Sequence, residues 1–216
     1  MSETRLIVIR HGETAWNRER RMQGHTDLPL SETGRAQAEA LALRLAGGRY
    51  AGLYSSDLAR ARHTAAAIAA RTGHEVIAEP RLRERRFGLF EGLTAQEIRQ
   101  RFPEEYARFE SRDPDYAIPG GESAREFIGR ALGCLEEIAL RHAGAEVLVV
   151  THGLVLDALY RAAERLAQDA PRPVPLLNAS LNSFGYRAGA WRLIAWGDVA
   201  HLAAEARTGY RGAASA

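Results

Sequence analysis

The sequence predicts an α/β protein: a three-layer sandwich with helices on both faces of a mostly parallel open sheet, and a small helical cap. Three observations carry this prediction. Short aliphatic runs alternate with longer segments of helical period. The aliphatic runs are apolar along their length, which is typical of strands buried on both faces. The region from about 80 to 122 has no clear strand, so we expect it to form a cap excursion within a single domain, 1–216.

The elements follow one another along the chain. Strands are expected at 5–10, 51–56, 74–79 and 145–153, and helices at 31–46, 57–72, 123–142 and 154–167. Residues 94–110 predict two short helices broken at Pro103, because proline has no N–H to continue the first helix. Residues 180–197 predict a closing hairpin turned at Ala188 and Gly189. We expect a flexible tail over 204–216.

Composition excludes several classes of function. The 29 basic and 27 acidic residues leave a net charge of +2, too little to indicate a nucleic acid or a membrane as partner. All 29 basic residues are arginine, which excludes Schiff-base and Walker-type lysine chemistry. One cysteine, Cys134, excludes an intramolecular disulfide and a multi-thiolate metal site. The sequence has no signal-peptide pattern and no apolar run of about 20 residues, so we expect a cytoplasmic protein.

Two of the predicted strands lead directly into histidines. Arg10 and His11 follow the first strand, and His152 and Gly153 end the strand at 145–153. In open parallel sheets, ligands bind beyond the carboxyl ends of the strands. The sequence therefore predicts a pocket at this edge of the sheet.

Further polar residues follow the other strands at the same edge. Arg60 lies about one turn into the helix after the second strand, whereas Arg62 falls on a different helix face. Glu84 comes just past the third strand, in a glycine-containing loop. The polar loop after the first strand contains Asn17, Gln23 and Gly24.

This combination of residues suits a phosphate monoester, which has a charge of about −1.5 to −2 and oxygens that match guanidinium groups. Arg10 and Arg60 are placed to bind it, with His152 as a third contact. An imidazole opposite the leaving group can attack phosphorus in line. Glu84 can protonate the leaving oxygen and later activate water. This chemistry needs no metal or other cofactor, and the other histidines show no metal-ligand spacing.

At these residues the sequence resembles a known family. The segments RHGETAWN, SSDLARARHTA, RLRERRFGLFEG, GGES and VTHG, in this order, resemble the histidine phosphatase superfamily, the phosphoglycerate-mutase-like proteins. The resemblance spans nearly the whole chain and implies an α/β sheet with a helical cap over the site. It implies His11 as the phosphorylated nucleophile and Glu84 as the acid and base. The binding residues that it implies are Arg10, Asn17, Arg60 and His152 for phosphate, with Gln23, Gly24 and Gly153 beside them.

The family contains both phosphatases and mutases, which share the first chemical step. We favour a phosphatase acting on a small phosphate ester, because the family's mutases are longer and use a cap lysine to hold the substrate carboxylate. A cofactor-dependent mutase remains the alternative, since cap arginines can replace that lysine; the candidates are Arg99, Arg101, Arg108 and Arg112. Sugar phosphates, phosphorylated carboxylic acids and nucleoside-like phosphates all remain open as substrates.

Two other classes fit less well. A phospholigand-binding protein without turnover is disfavoured because both His11 and Glu84 are present. A nucleotide-binding α/β domain is disfavoured because RHGETAW lacks the GxGxxG fingerprint. The closing hairpin supplies a sheet edge at which a homo-oligomer can form.

Overall fold

The structure, a computed structural model, describes residues 2–167, 170–171 and 174–210. Most of its strands belong to one six-stranded sheet. A second sheet of two strands lies apart from it. The strands are β1 (Thr4–Arg10), β2 (Leu53–Ser55), β3 (Val76–Ala78), β4 (Glu146–Thr151), β5 (Leu176–Leu177), β6 (Leu181–Arg187), β7 (Ala190–Asp198) and β8 (Gly209–Tyr210).

The strand order in the main sheet is β3-β2-β4-β1-β6-β7. The first four strands in this order are parallel to their neighbours, whereas β6 pairs antiparallel with both β1 and β7. The predicted hairpin is therefore real, and it extends the parallel sheet beside β1. In the register of β1 and β4, Arg10 lies opposite Thr151. The residues that follow these two strands thus emerge side by side.

The helices agree closely with the sequence prediction. Ser31 and Ser123 cap the helices that follow them, and Gly73 ends the second long helix with φ 74°. The cap helices are separated at Pro103, as predicted. A short helix after β1 was not predicted. The helices are α1 (Ala15–Arg18), α2 (Glu32–Leu45), α3 (Ala59–Thr72), α4 (Ala95–Arg101), α5 (Pro103–Glu110), α6 (Ala124–Arg141) and α7 (Gly153–Glu164).

The main sheet has a hydrophobic core on each face. Alternate residues of β1 point to opposite faces: Leu6 and Val8 belong to the core under α6 and α7, and Ile7 and Ile9 to the core under α2 and α3. All four side chains are buried. This confirms the predicted three-layer arrangement.

The cap has a hydrophobic cluster of its own, between the third strand and α6. It is formed largely by aromatic side chains. The cluster contains Phe87, Phe90, Tyr106 and Tyr116 with Phe102 and Phe109 packed against it.

The prediction of a flexible tail was wrong for residues 204–210. Gly209–Tyr210 pairs with Leu176–Leu177, and the Gln37 amide donates to the Ala206 carbonyl at 2.6 Å and to the Thr208 hydroxyl at 2.9 Å. The sequence could not show this because the partners lie far away along the chain. Residues 211–216 of the predicted tail lie outside the described residues. Among the described residues, no helix is both long enough and apolar enough to span a bilayer.

Candidate active site

His11 and His152 lie next to each other at the carboxyl edge of the sheet. The His11 backbone N–H donates to the Thr151 carbonyl at 3.0 Å, which ties the end of β1 to the end of β4. The two imidazole rings have centroids 5.2 Å apart, and both residues are buried. The ends of the two strands therefore bring the two histidines together at one edge of the sheet.

His11 has a defined tautomer. Its Nδ1 lies 2.7 Å from the Gly12 carbonyl oxygen, which can only accept, so Nδ1 has the proton and Nε2 has the lone pair. Burial lowers the pKa of His11 well below its usual value, and the positive charges of Arg60 and Arg10 lower it further. At neutral pH the ring is therefore uncharged, as a nucleophile must be.

Two arginines supply positive charge beside these rings. Arg60 is fully buried and donates to the carbonyl oxygens of Thr26 and Gly24, at 2.9 and 2.8 Å. Burial lowers its pKa to about 10, so it remains charged at neutral pH. Arg10 is buried and donates to the Leu176 carbonyl. Because these backbone acceptors are neutral, they hold the guanidinium groups in place without cancelling their charge.

The orientation of the Asn17 side chain is fixed by its neighbours. Its Oδ1 accepts from the Thr14 backbone N–H at 3.0 Å and from Asn178 Nδ2 at 3.3 Å. Both of these hydrogen bonds use the side-chain oxygen of Asn17, so its amide nitrogen remains as a donor to a ligand. Asn178 also donates to the His11 carbonyl at 3.1 Å. Asn178 was not predicted, because its role depends on contacts with His11 and Asn17, which lie far away along the chain.

Glu84 makes its hydrogen bonds to the backbone. Its carboxylate accepts from the N–H groups of Arg85 at 2.9 Å and Leu154 at 3.1 Å. The neighbouring Arg83 pairs instead with Asp57, at 2.7 Å between Nε and Oδ1. Burial raises the pKa of Glu84, although the two backbone donors, Arg60 and Arg10 oppose the shift. A raised pKa is the property that a general acid requires near neutral pH.

Gln23 and Gly24 line the base of the loop that holds Arg60. The Thr14 hydroxyl donates to Gln23 Oε1 at 3.0 Å. Gly24 has φ 52°, and a Cβ added there would lie 2.1 Å from Glu91 Oε1. Glycine is favoured at this position, because a side chain there would displace the Glu91 carboxylate and would have to adopt a left-handed backbone conformation.

Glu91, which was not predicted, joins this loop to the cap. Its carboxylate accepts from the backbone N–H groups of His25 and Thr26 and, on the cap side, from that of Phe87, each at 3.0 Å. The His25 ring nitrogen Nε2 lies 2.9 Å from the Glu84 carbonyl oxygen. Because most of these hydrogen bonds involve backbone groups, they hold the loop and the cap in position relative to each other.

Gly153 is the first residue of α7, directly after His152. A Cβ added to it would lie 3.5 Å from Arg10 Nε, an ordinary van der Waals distance, so Gly153 lies next to the Arg10 guanidinium. The structure thus brings all the predicted site residues to one edge of the sheet: Arg10, His11, Asn17, Gln23, Gly24, Arg60, Glu84, His152 and Gly153.

A cavity of about 890 Å³, here called the cap cavity, is lined by residues of the cap and of helices α6 and α7, and by none of the predicted site residues. Arg85 and Leu154, whose N–H groups bind the Glu84 carboxylate, also line the cavity. Its far wall contains a buried ion pair of Asp157 and Arg161, with 3.0 Å between Oδ2 and Nε. The cap contributes three aromatic side chains, those of Tyr106, Phe109 and Tyr116.

The chemistry of these groups defines a class of enzyme. Two guanidinium groups suit a phosphate dianion, an uncharged imidazole suits attack on phosphorus, and a carboxyl with a raised pKa suits protonation of a leaving oxygen. Fold and site together are those of a phosphomonoester hydrolase. Among the described residues, no group of three or more His, Cys, Asp or Glu side chains is arranged to hold a metal ion.

Comparison with known proteins identifies the family. Residues 6–199 match the histidine phosphatase superfamily (branch 1), and the chain belongs to this superfamily. It is 44% identical to the metal-independent phosphoserine phosphatase of Arabidopsis thaliana, over 92% of this chain and 83% of that protein. It is 43% identical to phosphoglycerate mutase-like protein 4 of the same plant, over 91% of this chain and 86% of that protein.

A solved structure agrees with these sequence matches. The complex of mycobacterial glucosyl-3-phosphoglycerate phosphatase with inorganic phosphate superimposes with a TM-score of 0.77 at 33% identity. The match covers 92% of this chain and 99% of that one. The predictions of the fold, the family and a metal-independent phosphatase are confirmed.

Proposed function

We propose that this phosphatase works through a phosphohistidine formed on His11. The observation that carries the proposal is the state of the His11 ring: it is uncharged, its Nδ1 proton is bound to the Gly12 carbonyl, and its Nε2 lone pair is unprotonated. Arg10 and Arg60 lie close enough to this ring for their positive charges to lower its pKa. A phosphate held by these two cations is thus presented to a nucleophile.

In the first step, His11 Nε2 attacks phosphorus and the bond between phosphorus and the ester oxygen breaks. The electron pair of that bond goes to the ester oxygen, which takes the proton of the Glu84 carboxyl and leaves as an alcohol. Arg10, Arg60, the Asn17 amide and His152 stabilise the charge on the three phosphoryl oxygens. Glu84 is left as a carboxylate.

In the second step, water attacks the phosphohistidine. The Glu84 carboxylate takes a proton from the water as its oxygen bonds to phosphorus, and the bond between phosphorus and His11 Nε2 breaks. The electron pair returns to Nε2. Inorganic phosphate leaves, and both residues are restored to their starting protonation states.

The substrate that the site supports best is a phosphorylated carboxylic acid. The relatives reported above are named for phosphoserine, phosphoglycerate and glucosyl-3-phosphoglycerate, and each of these has a carboxylate. Arg85 follows Glu84 in the chain and lines the cap cavity, in which we place the alcohol portion of the substrate. Its guanidinium supplies positive charge on the leaving-group side. The cavity volume leaves room for an alcohol portion larger than three carbons.

Two features favour hydrolysis over a mutase reaction. The cap contains no lysine to hold a glycerate carboxylate. The cap cavity has acidic as well as basic side chains, with Glu110, Asp113 and Asp157 in its lining. They balance the three arginines of the lining, Arg85, Arg112 and Arg161, so the cavity lacks the excess of positive charge that retaining the second phosphate of a bisphosphorylated cofactor requires.

A phosphate-release panel tests the proposal. The substrates are phosphoserine, 3-phosphoglycerate, glucosyl-3-phosphoglycerate, a sugar phosphate and a nucleoside phosphate, with and without EDTA. A mutase assay with 3-phosphoglycerate and 2,3-bisphosphoglycerate runs in parallel. We expect release to be fastest from the carboxylate-bearing esters, without isomerisation and without an effect of EDTA. Isomerisation faster than release would overturn the assignment as a phosphatase, and a preference for an uncharged alcohol would overturn the substrate class.

A further inference from the structure

Ser56 lies directly against the second histidine of the site. It follows β2, and its backbone N–H donates to the Val150 carbonyl of β4 at 3.0 Å. This bond places the Ser56 hydroxyl 2.8 Å from His152 Nε2. Both residues are completely buried. The hydroxyl therefore has a fixed position relative to the imidazole, without competition from solvent.

The direction of this hydrogen bond decides what His152 offers to the substrate. A neutral imidazole has one N–H and one bare nitrogen. If the Ser56 hydroxyl donates to Nε2, the ring proton lies on Nδ1. If Nε2 donates to Ser56, Nδ1 is bare and cannot donate to a phosphoryl oxygen.

The surroundings of each atom favour donation by Ser56. The Leu58 backbone N–H approaches the Ser56 oxygen at 3.4 Å, so the oxygen faces a donor while its own proton requires an acceptor. His152 Nε2 is placed to be that acceptor. At the other side of the ring, Nδ1 is buried and has no hydrogen-bond partner among the residues that the structure describes. A buried N–H without a protein partner is suited to a ligand.

The groups that face His152 also keep its ring neutral. Burial lowers the pKa of His152 well below its usual value, and the positive charges of Arg60 and Arg10 act in the same direction. A neutral ring cannot donate from both nitrogens. Its tautomer therefore matters, and it is set by whatever bonds to Nε2.

We propose that Ser56 is a positioning residue that holds His152 as the Nδ1–H tautomer, so that Nδ1 donates to the transferring phosphoryl group. The inference rests on the proposed role of His152 in binding that group. Ser56 does not itself touch the substrate. Its contribution is to keep the N–H on Nδ1, the ring nitrogen that has no hydrogen-bond partner among the described residues.

The tautomer can be measured directly in the ligand-free enzyme. Nitrogen-15 NMR of histidine-labelled protein distinguishes a protonated ring nitrogen from a bare one, and His152→Asn assigns the signals. We expect Nδ1 of His152 to be protonated and Nε2 to be bare in the wild type. In Ser56→Ala we expect a mixture of tautomers. A protonated Nε2 in the wild type, or an unchanged tautomer in Ser56→Ala, would overturn the inference.

Kinetics with a good substrate from the panel give a second test. Ser56→Ala should lower kcat about 10-fold with little change in KM, because the donor matters most as charge develops in the transition state. Ser55→Ala is the matched control. Its hydroxyl donates to the Ser56 carbonyl at 2.8 Å but does not touch His152, so we expect kcat within about two-fold of the wild type. Ser56→Thr, which keeps the hydroxyl, should restore the wild-type tautomer.

A double variant separates this inference from the proposed function. In a His152→Ala background, Ser56→Ala should have no further effect on kcat, since Ser56 acts through that ring. An additive loss would show a different role for Ser56 and overturn the inference. Full activity of His152→Ala alone would instead remove His152 from the mechanism, which contradicts the proposed function whatever the tautomer is.

Discussion

The phosphate pocket (Arg10, His11, Asn17, Arg60 and His152) and the cap cavity share no lining residue and are built differently. The pocket side chains come from the sheet edge and the segments next to it, are mostly buried, and are bound mainly to backbone groups. The cap cavity is lined in part by exposed side chains of both charges, including Glu110, Arg112 and Asp113. The difference indicates that the phosphoryl group is held by rigid parts of the fold, whereas the alcohol portion meets side chains that can change without disturbing the fold.

The largest effect is expected inside the phosphate pocket. His11→Ala removes the nucleophile, so kcat should fall by roughly 10⁴-fold or more. Acid-quenched enzyme should show a phosphohistidine in the wild type and none in the variant. His63→Ala, an exposed histidine on α3, is the control and should behave as the wild type. Turnover near the wild-type rate in His11→Ala would mean that the pocket works by another nucleophile.

The effect of removing the Glu84 carboxyl should depend on the leaving group. Glu84→Gln should reduce kcat/KM for an alkyl phosphate by about 10²–10⁴-fold, because the alkoxide needs a proton. An aryl phosphate leaves without one and should lose far less in this first step. The comparison uses steady-state rates on both esters, with the exposed Glu75→Gln as control. Equal losses on both esters would argue against the acid role.

A substitution in the lining of the cap cavity should weaken the binding of bulky phosphate esters but not that of inorganic phosphate. Ala124 lines the cavity at the start of α6, and Ala124→Trp should raise KM about 10-fold for a bulky phosphate ester through overlap with its alcohol portion. The inhibition constant of inorganic phosphate should not change, since phosphate binds in the phosphate pocket alone. Ala36→Trp places the same side chain on α2, away from the cavity, and serves as the control. If both tryptophan variants act alike, the alcohol portion binds elsewhere.

The smallest effect concerns stability and pH. Burial holds the pKa values of His11 and His152 below their usual range, so the unfolded chain binds protons at these residues before the folded protein does. Their presence should therefore lower the free energy of unfolding as pH falls below about 6.5, by on the order of 1 kcal/mol each at pH 5.5. Urea unfolding at pH 7.5 and 5.5 should show a smaller loss in His152→Asn. The exposed His63→Asn should lose as much as the wild type, and an equal loss in His152→Asn would show that burial does not hold this histidine neutral.

Most of the fold could be predicted because its signals are local. The apolar run at Leu6–Ile9, the caps at Ser31 and Ser123 and the break at Pro103 each depend on a few adjacent residues. The positions of Arg10, His11 and His152 follow from the rule that ligands bind beyond the carboxyl ends of the strands in an open parallel sheet. The structure of residues 204–210 depends on Leu176 and Gln37, which no local sequence pattern connects to them.

The residues that support the site were not predictable in the same way. Ser56, Glu91 and Asn178 act by bonding to residues far away in sequence, and each has a common local explanation as a strand end, a surface acid or a turn residue. Their roles require the sheet order and the position of the cap. The chemically active side chains can be recognised by type and spacing, but the groups that orient them depend on tertiary structure.

The Glu91 carboxylate has a consequence for how the two regions act together. It binds N–H groups of His25 and Thr26 on one side and of Phe87 on the other, and the carbonyl of the same Thr26 accepts from Arg60. A displacement of the Glu91 carboxylate with the cap would therefore also move Thr26, whose carbonyl holds the Arg60 guanidinium in position. Any cap ligand that changes the affinity for phosphate through Glu91 must have its own affinity changed by phosphate in the same ratio, because coupling between two binding sites is reciprocal.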